Sequence, residues 1–476
     1  MLHLYDTATA SRAPLNGAAD KRVGLYVCGP TVYGPPHIGH GRFTLVYDIL
    51  RRYLESTGVV VDHVSNVTDI DDKIIDVAKR HGRTQADVAA EFEADWWSAM
   101  DGLGVLKPTT VTHATAYVSD MVSLVSELMS RGVAYETSDG VYLEVRQVEG
   151  YGLLAQQPLD SLRAGARVDV NEEKRSPFDF ALWKKAKPGE PQWEAPFGAG
   201  RPGWHTECVV MALDVLGEGF SLHGGGEDLK FPHHENERAQ AVVLERPFAQ
   251  HWMHNGMLVF GGEKMSKSLG NVTDLKGLLA ENDPRSYRLS VLQAHYRAQM
   301  ELRPETIEAS NRALRGLDAL ARRLGEAGRA GGQLTGQPGE GRQVSSGSVA
   351  PHPGGESQTK AGEIVTSFRR HMDDDLSTPE AIAVAFDGLR AANSAFDAGD
   401  TQLALAVGEA VLDCFAAVGL LPGTDREVSS EALDLARHRD LARANRDYAA
   451  ADRLRDEIVA LGYRVEDMPS GTRVIG

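Results

Sequence analysis

Apolar and polar positions alternate at the start of the chain in a way that predicts strand, loop, helix, strand. Val23–Leu25–Tyr26–Val27–Cys28 is a short β-rich run, and Gly29–Pro30–Thr31–Val32–Tyr33–Gly34–Pro35–Pro36 must be loop, since its glycines and prolines break helix and strand alike. From about Ile38 to Glu55, Phe43, Val46, Ile49, Leu50 and Tyr53 recur near helical spacing. Gly58 stops that helix, and Val59–Val60–Val61–Asp62–His63–Val64 reads as the next strand. This is a βαβ unit, whose ligands sit at the carboxyl ends of the strands.

The pattern changes from about Tyr117 to Arg201. Tyr117–Arg131 predicts a helix, Tyr135 and Val141–Val145 predict short antiparallel strands, and Arg163–Arg201 is rich in charge, Pro and Trp. The stretch reads as an insertion into the sheet, because α/β alternation returns near Gly203–Asp228 and runs to Val259. Beyond Lys264–Ser268 the chain is mostly helical. Residues 325–360 hold ten glycines and three prolines, with only Leu334, Val344 and Val349 as larger aliphatics. Such a segment buries too little to offset its ordering entropy, so a flexible insert is expected. Helices resume at Ile364–Leu421. The tail predicts helices at Glu431–Ala444 and Asp447–Leu461, then a hairpin from Tyr463–Glu466 to Thr472–Ile475 through Pro469–Ser470–Gly471.

Length changes this picture only by implying several folding units in 476 residues. No apolar run approaches the roughly 20 residues that span a bilayer, and the first residues lack the pattern of a secretory signal. Three cysteines, Cys28, Cys208 and Cys414, argue against a disulfide framework and fit a reducing cytoplasm. The net charge of −17 disfavours bulk binding to nucleic acid, so an RNA partner has to meet local basic patches.

Three constellations carry chemistry. Pro36–His37–Ile38–Gly39–His40–Gly41 puts two imidazoles at a helix N-terminus, where N–H donors and the helix dipole favour phosphate and glycine admits a flat base. A capped helix with surface histidines is the plainer reading. Lys264–Met265–Ser266–Lys267–Ser268, between Gly261–Gly262 and Gly270, is a basic loop whose lysines can close on a polyphosphate; for the pentapeptide alone, a solvated basic turn is the favoured reading. The third set is Cys28, Cys208 in Trp204–His205–Thr206–Glu207–Cys208, and His233 with Glu237 at i, i+4 in Phe231–Pro232–His233–His234–Glu235–Asn236–Glu237. Two thiolates, an imidazole and a carboxylate suit Zn²⁺. Their spacing is not that of a zinc finger, and buried cysteines beside a carboxylate–histidine pair are the alternative. His234 could replace His233.

The first two motifs, in this order and on this βαβ start, resemble the HIGH and KMSKS signature of class I aminoacyl-tRNA synthetases. With the third, the chain resembles the cysteinyl-tRNA synthetase family over nearly its whole length. The resemblance implies a Rossmann-like parallel-sheet catalytic domain with an inserted connective segment, then a helical bundle and a small α/β C-terminal domain. It implies activation of L-cysteine by ATP with Mg²⁺ and transfer to tRNA(Cys), by a cytoplasmic monomer. It implies Zn²⁺ on Cys28, Cys208, His233 and Glu237, contacting the substrate thiol. His37, His40, Lys264 and Lys267 are the implied catalytic residues, with Gly39, Gly225, Asp228 and Lys267 at ATP and Thr68, Trp204 and His223 near the substrate.

Asn66–Lys73, Ser176–Lys184, Gly200–His205 and His223–Asp228 extend the match, although Phe178, Phe180 and Trp183 read as ordinary core. Asp373–Glu380 fits the bundle signature. The implied division is 1–116 and 202–260 for the catalytic domain, 117–201 for the connective insertion, 261–312 for the KMSKS and stem-contact region, 313–424 for the bundle and 425–476 for an anticodon-binding domain. Arg437, Arg439, Arg443, Arg446, Arg453 and Arg455 concentrate positive charge in that tail, as RNA contact requires; a solvated face paired with Asp440, Asp447 and Asp452 is the plainer reading. The chain departs from the family pattern in the long insert, in Thr206 where an aliphatic residue is expected, and in the stiff Pro35–Pro36 entry.

Two other functions fit parts of the pattern. A ligase joining cysteine to an amino sugar uses the same zinc and ATP chemistry but typically lacks a C-terminal domain such as Glu431–Gly476. A non-catalytic RNA-binding relative should have lost one of the three constellations.

Overall fold

Five parallel strands make the central sheet, in the order Trp252–Asn255, Leu222–Gly226, Arg22–Val27, Val60–Val67, Thr110–His113. The computed structural model describes residues 1–158, 173–260, 263–264, 274–330, 356–423, 428–468 and 471–475. The chain divides into two compact units, Met1–Leu421 and Pro422–Gly476.

The central strand is covered on both faces, as a parallel sheet requires. Val23, Leu25 and Val27 join the core under the helix Ile38–Ser56, while Tyr26 and Cys28 join a second core with Val209 and Ala212 of the helix Trp204–Leu216. Neighbouring residues of one strand therefore serve different chambers. The predicted loop, helix and strand all form; the helix ends at Thr57 and Gly58 adopts φ +83°, a left-handed conformation natural to glycine.

The expected insertion contains an antiparallel sheet of Ala134–Glu136, Gly140–Leu143, Phe180–Lys185 and Gly200–Pro202. Phe180 and Trp183 are core, with Phe178 packed against them. Thr206 is fully buried, and its hydroxyl faces Leu182 O at 3.5 Å, which is why a polar residue stands in an aliphatic position. Asp48 of the Ile38–Ser56 helix is 2 % exposed and binds Arg52, Arg288 and the Leu106 N–H.

Helices Pro304–Ala330, Glu356–Asp373, Thr378–Asp397 and Thr401–Ala416 follow, around Leu317, Leu320, Phe368, Met372, Val411 and Phe415. This corrects the edges of the expected flexible insert. Residues 325–330 and 356–360 are helical; 331–355 lie outside the described residues. Each interior glycine costs about 1 kcal/mol of helix propensity, but the buried row Leu314, Leu317, Leu320 and Leu324 carries the helix past Gly325 and Gly328.

In the second unit, helices Ser430–Ala444 and Tyr448–Ala460 precede an antiparallel pair, Arg464–Met468 with Gly471–Ile475. The arginine partners differ from those expected. Arg437 pairs with Asp434, and Arg439 and Arg443 pair with Asp467 on the hairpin. Asp440 instead accepts from Thr472, and Asp447 caps a helix. The sequence did not show that the hairpin folds back onto the first of these helices.

Candidate active site and metal centre

Cys28 leaves the carboxyl end of the central strand, its N–H bonded to Gly224 O at 3.2 Å. Gly203 opens the helix that carries Cys208; a Cβ there would lie 1.9 Å from Ala181 O, so only glycine allows this close approach. His233 belongs to the Lys230–His234 turn, in which Phe231 is extended, and Glu237 lies on the following helix, Glu235–Val243.

These four side chains meet. Cys28 Sγ is 3.6 Å from Cys208 Sγ and 3.6 Å from Glu237 Oε1. His233 Nε2 is 3.7 Å from Cys208 Sγ and 3.0 Å from Glu237 Oε1. All four residues are at most 3 % exposed, and both cysteines are free thiols. Around a tetrahedral Zn²⁺, metal–ligand lengths of about 2.3 Å for sulfur and 2.0–2.1 Å for nitrogen or oxygen place ligand atoms roughly 3.3–3.8 Å apart. Three of these edges, at 3.6–3.7 Å, fall in that range and the His233–Glu237 edge is shorter at 3.0 Å, so the donor set fits the ion in softness and nearly in size. Cys28, His223, His234 and Glu237 form an overlapping cluster with a single sulfur.

The electrostatics follow from packing two thiols, an imidazole and a carboxyl together away from water. Burial pushes the Cys28 thiol up. Burial acts the same way on Cys208, but the Cys28 S–H it accepts and its contact with His233 bring it down to about 6. Burial opposes a charge on His233, yet the Glu237 carboxylate lifts it to about 10.

Second-rank contacts hold the ligands. His223 Nε2 lies 2.7 Å from Glu237 Oε2, and His205 Nδ1 lies 2.9 Å from His233 Nδ1. His234 leads away from the cage to His254, at 2.8 Å, and on to Thr7. Such contacts fix the tautomer and orientation of a metal ligand. The Trp204 ring stacks on His233 at 3.9 Å and 15°. Thr68 donates to Glu207 Oε2 at 2.7 Å and accepts from Asn66, whose own carbonyl takes the Gly29 N–H. His205 and Asn66 were missed in the sequence; a histidine three residues before Cys208 was the available signal.

The expected phosphate site has a definite geometry. The His37 and His40 rings stack at 3.7 Å, and each Nδ1 accepts the other residue's backbone N–H, at 3.3 and 3.2 Å. In neutral rings the proton therefore sits on Nε2. Gly39 lies against the His37 ring, with room for a Cβ only at 3.0 Å. Gly225 faces His234, where a Cβ would come within 2.4 Å of the ring, and Asp228 is exposed just past the same strand. Lys264 pairs through its backbone with Val259; Lys267 lies outside the described residues. Asp274, on the far side of that loop, bridges to His37, and Leu275 N–H reaches Pro36 O at 3.4 Å, so the stiff proline entry seats the chain that follows the loop.

Residues 15–312 match the family described as tRNA synthetases class I (C) catalytic domain, and residues 367–421 match the DALR domain. A cysteine–tRNA ligase of Thermotoga maritima is 41% identical over 456 residues, 94% of each chain. One from Thermus thermophilus is 40% identical over 99% of this chain and 98% of its own. Methionyl-tRNA synthetase of Mycobacterium tuberculosis, solved with methionyl-adenylate, shares the fold with a TM-score of 0.61 at 15% identity, over 90% of this chain and 96% of that one. By sequence over nearly its full length and by fold, the chain belongs to the cysteine–tRNA ligase family of class I synthetases, and is a ligase.

Proposed function

We propose that the chain activates L-cysteine with ATP and transfers it to the 3′ end of tRNA(Cys), selecting cysteine through its thiol. The observation that carries this is the buried Cys28–Cys208–His233–Glu237 cage at the carboxyl end of the central strand, capped by Trp204. Cys28, Cys208, His233 and Glu237 would hold a Zn²⁺ there, which would supply affinity for a thiol that a serine hydroxyl or an apolar side chain cannot match.

In the first step a cysteine carboxylate oxygen attacks the α-phosphorus of ATP, and pyrophosphate leaves; a Mg²⁺ brought with the ATP would offset charge on the phosphates. In the second, the tRNA terminal hydroxyl attacks the adenylate carbonyl and AMP leaves. No protein nucleophile is needed; positioning and charge stabilisation carry both. His37 and His40 donate from Nε2 to the phosphates, and Gly39 admits the base. Lys264 and Lys267 neutralise the departing pyrophosphate. Gly225 and Asp228 bound the nucleoside, with Asp228 accepting from ribose hydroxyls. Thr68 and Trp204 line the cysteine side, and His223 orients Glu237 from behind.

Residues 1–116 and 202–260 form the catalytic domain in this reading, 117–201 the connective insertion, 261–312 the region toward the acceptor stem and 313–424 the bundle. Residues 425–476 read the anticodon, and the protein works as a cytoplasmic monomer. The test is charging of unfractionated tRNA with labelled cysteine by zinc-loaded protein. Acid-precipitable cysteine that depends on a GCA anticodon is the expected result. Cysteine-dependent pyrophosphate exchange without charging overturns the tRNA step and favours a small-molecule cysteine ligase.

A further inference from the structure

The turn between the helices Glu356–Asp373 and Thr378–Asp397 is strained. Asp375 and Leu376 adopt φ +57° and +50°. Aspartate enters this left-handed region at modest cost, but leucine rarely does. Two such residues in succession persist only where their surroundings over-determine them, and such places cluster at functional sites. Here the surroundings converge on one fully buried carboxylate. Asp375 Oδ1 accepts the Tyr5 N–H at 2.8 Å and the Tyr296 hydroxyl at 2.7 Å, and Oδ2 accepts from Arg297 Nε at 2.9 Å. Arg12 and His295 stand farther from Oδ2, at 3.7 and 3.8 Å. The Arg297 guanidinium also lies over the Tyr5 ring at 4.5 Å, and the Asp375 N–H goes to His3 O at 2.9 Å.

The turn thus grips Tyr296 and Arg297 by their side chains, while the backbone of the same short segment supports both phosphate motifs. Tyr296 O takes the Gly256 N–H at 2.8 Å. A Cβ at Gly256 would lie 2.4 Å from Ala298 O, so only glycine lets the two backbones meet there. Arg42, in the helix that begins at the histidine motif, reaches the carbonyls of His295, Tyr296 and Ala298. Just beyond, Met300–Glu301 pairs with Leu258–Phe260, the strand that leads into Lys264.

We propose that Asp375 is a positioning residue for cysteine activation. The strained turn fixes Tyr296 and Arg297, and their backbone sets the histidine-motif helix and the strand before the lysine loop at the spacing that ATP requires. The carboxylate stands behind both motifs and acts only through residues 295–298. Its charge matters because Arg297 is a cation, and charge-assisted hydrogen bonds hold geometry more firmly than neutral ones. This role rests on the reading of the two motifs as the phosphate-binding elements.

The test is a double-mutant cycle of Asp375→Asn with Arg42→Lys in the full chain, read by cysteine-dependent ATP–pyrophosphate exchange, with zinc content measured alongside. Asparagine tolerates the left-handed backbone and keeps an acceptor for Tyr5 and Tyr296, but loses the charge that holds Arg297. Its kcat should fall about ten- to a hundredfold, the scale of a small misplacement of reacting groups. Zinc content and KM for cysteine should stay at the parent's values. The double variant should lose far less than the product of the two single losses, because both changes act on residues 295–298. A kcat like the parent's, losses that multiply, or a KM for cysteine that rises as far as kcat falls overturns the role. Tyr296→Phe removes one hydrogen bond to Asp375 and leaves every backbone carbonyl in place. It should show the same pattern more weakly, and it decides the matter if Asp375→Asn does not fold. A parent without exchange overturns the proposed function, and ATP binding by calorimetry then tests the positioning alone. Weaker binding in Asp375→Asn and Tyr296→Phe sustains it; binding equal to the parent's, or none in the parent, overturns it.

Discussion

Arg42 Nη1 donates to Met257 O at 2.8 Å. Its Nη2 faces the carbonyls of His295, Tyr296 and Ala298, so one guanidinium ties the helix that starts at the histidine motif to both chain segments flanking the short strands Leu258–Phe260 and Met300–Glu301. The side chain is 1 % exposed, its partners are all neutral carbonyls, and burial lowers its pKa to about 10.

Arg42→Lys should therefore not be conservative. An ammonium cannot span those carbonyls; Met257 O, His295 O and Tyr296 O keep backbone donors, but Ala298 O loses the guanidinium, at about 1–3 kcal/mol. We expect a clear drop in melting temperature. We also expect kcat to fall while KM for cysteine stays within about twofold, since Arg42 touches none of the cage. A KM effect as large as the kcat effect would show that the residue acts on cysteine binding instead.

Cys208→Ser removes one of two sulfurs from the cage. Zinc content after dialysis against a chelator should drop well below one ion per chain, and KM for cysteine should rise more than KM for ATP. Full zinc retention with normal kinetics would remove Cys208 from the site.

Asp48 and Arg288 are both buried to within 2 % exposure; against the opposing effect of burial, Arg288 and Arg52 hold the Asp48 carboxyl below its usual range. A depressed carboxylate stabilises the fold above its unfolded value, about 3.9, and loses that contribution as pH falls through the lower folded value. Asp48→Asn should cost about 3–5 kcal/mol at pH 7 by leaving Arg288 uncompensated. The gap from the parent should hold down to about pH 4 and shrink below it. Denaturant melts across that range check the sign.

His63 gives a slope of the same sign in a higher pH window. Unfolded, it takes a proton near pH 6.5; folded, only near pH 3. The unfolded state binds more protons between those values, so this residue destabilises the protein as pH falls through that window, by about 1.4 kcal/mol per unit as an upper figure. His63→Leu should flatten the stability profile between pH 6 and 4 relative to the parent. Parallel profiles would mean that His63 is protonated in the fold.

Much of this was legible in the chain because it is local. Glycines and prolines at 29–36 and apolar spacing from Phe43 to Tyr53 announce the first βαβ unit, and the four cage residues are of types that read as metal ligands. What could not be read are relations between distant segments. His223 and Glu237 are 14 residues apart yet meet through a strand and a turn. Arg42 finds its carbonyls more than 200 residues away. The tail arginines look free in a helix and are partly neutralised by Asp467, which only the hairpin fold brings near. Position 63 looks like any polar residue in a strand until the helix carrying Trp96 and Trp97 closes over it.

Val27 and Cys28, adjacent on one strand, belong to different chambers. A slip of one residue in pairing exchanges every side chain across the sheet. It would move the thiol under the long helix and put a valine at the cage, at little cost in total apolar burial. A chain mispaired in this way could pass for folded by most spectroscopic measures. Metal retention then becomes a readout of folding fidelity, sensitive to a 3.3 Å error in how the first strand was laid down.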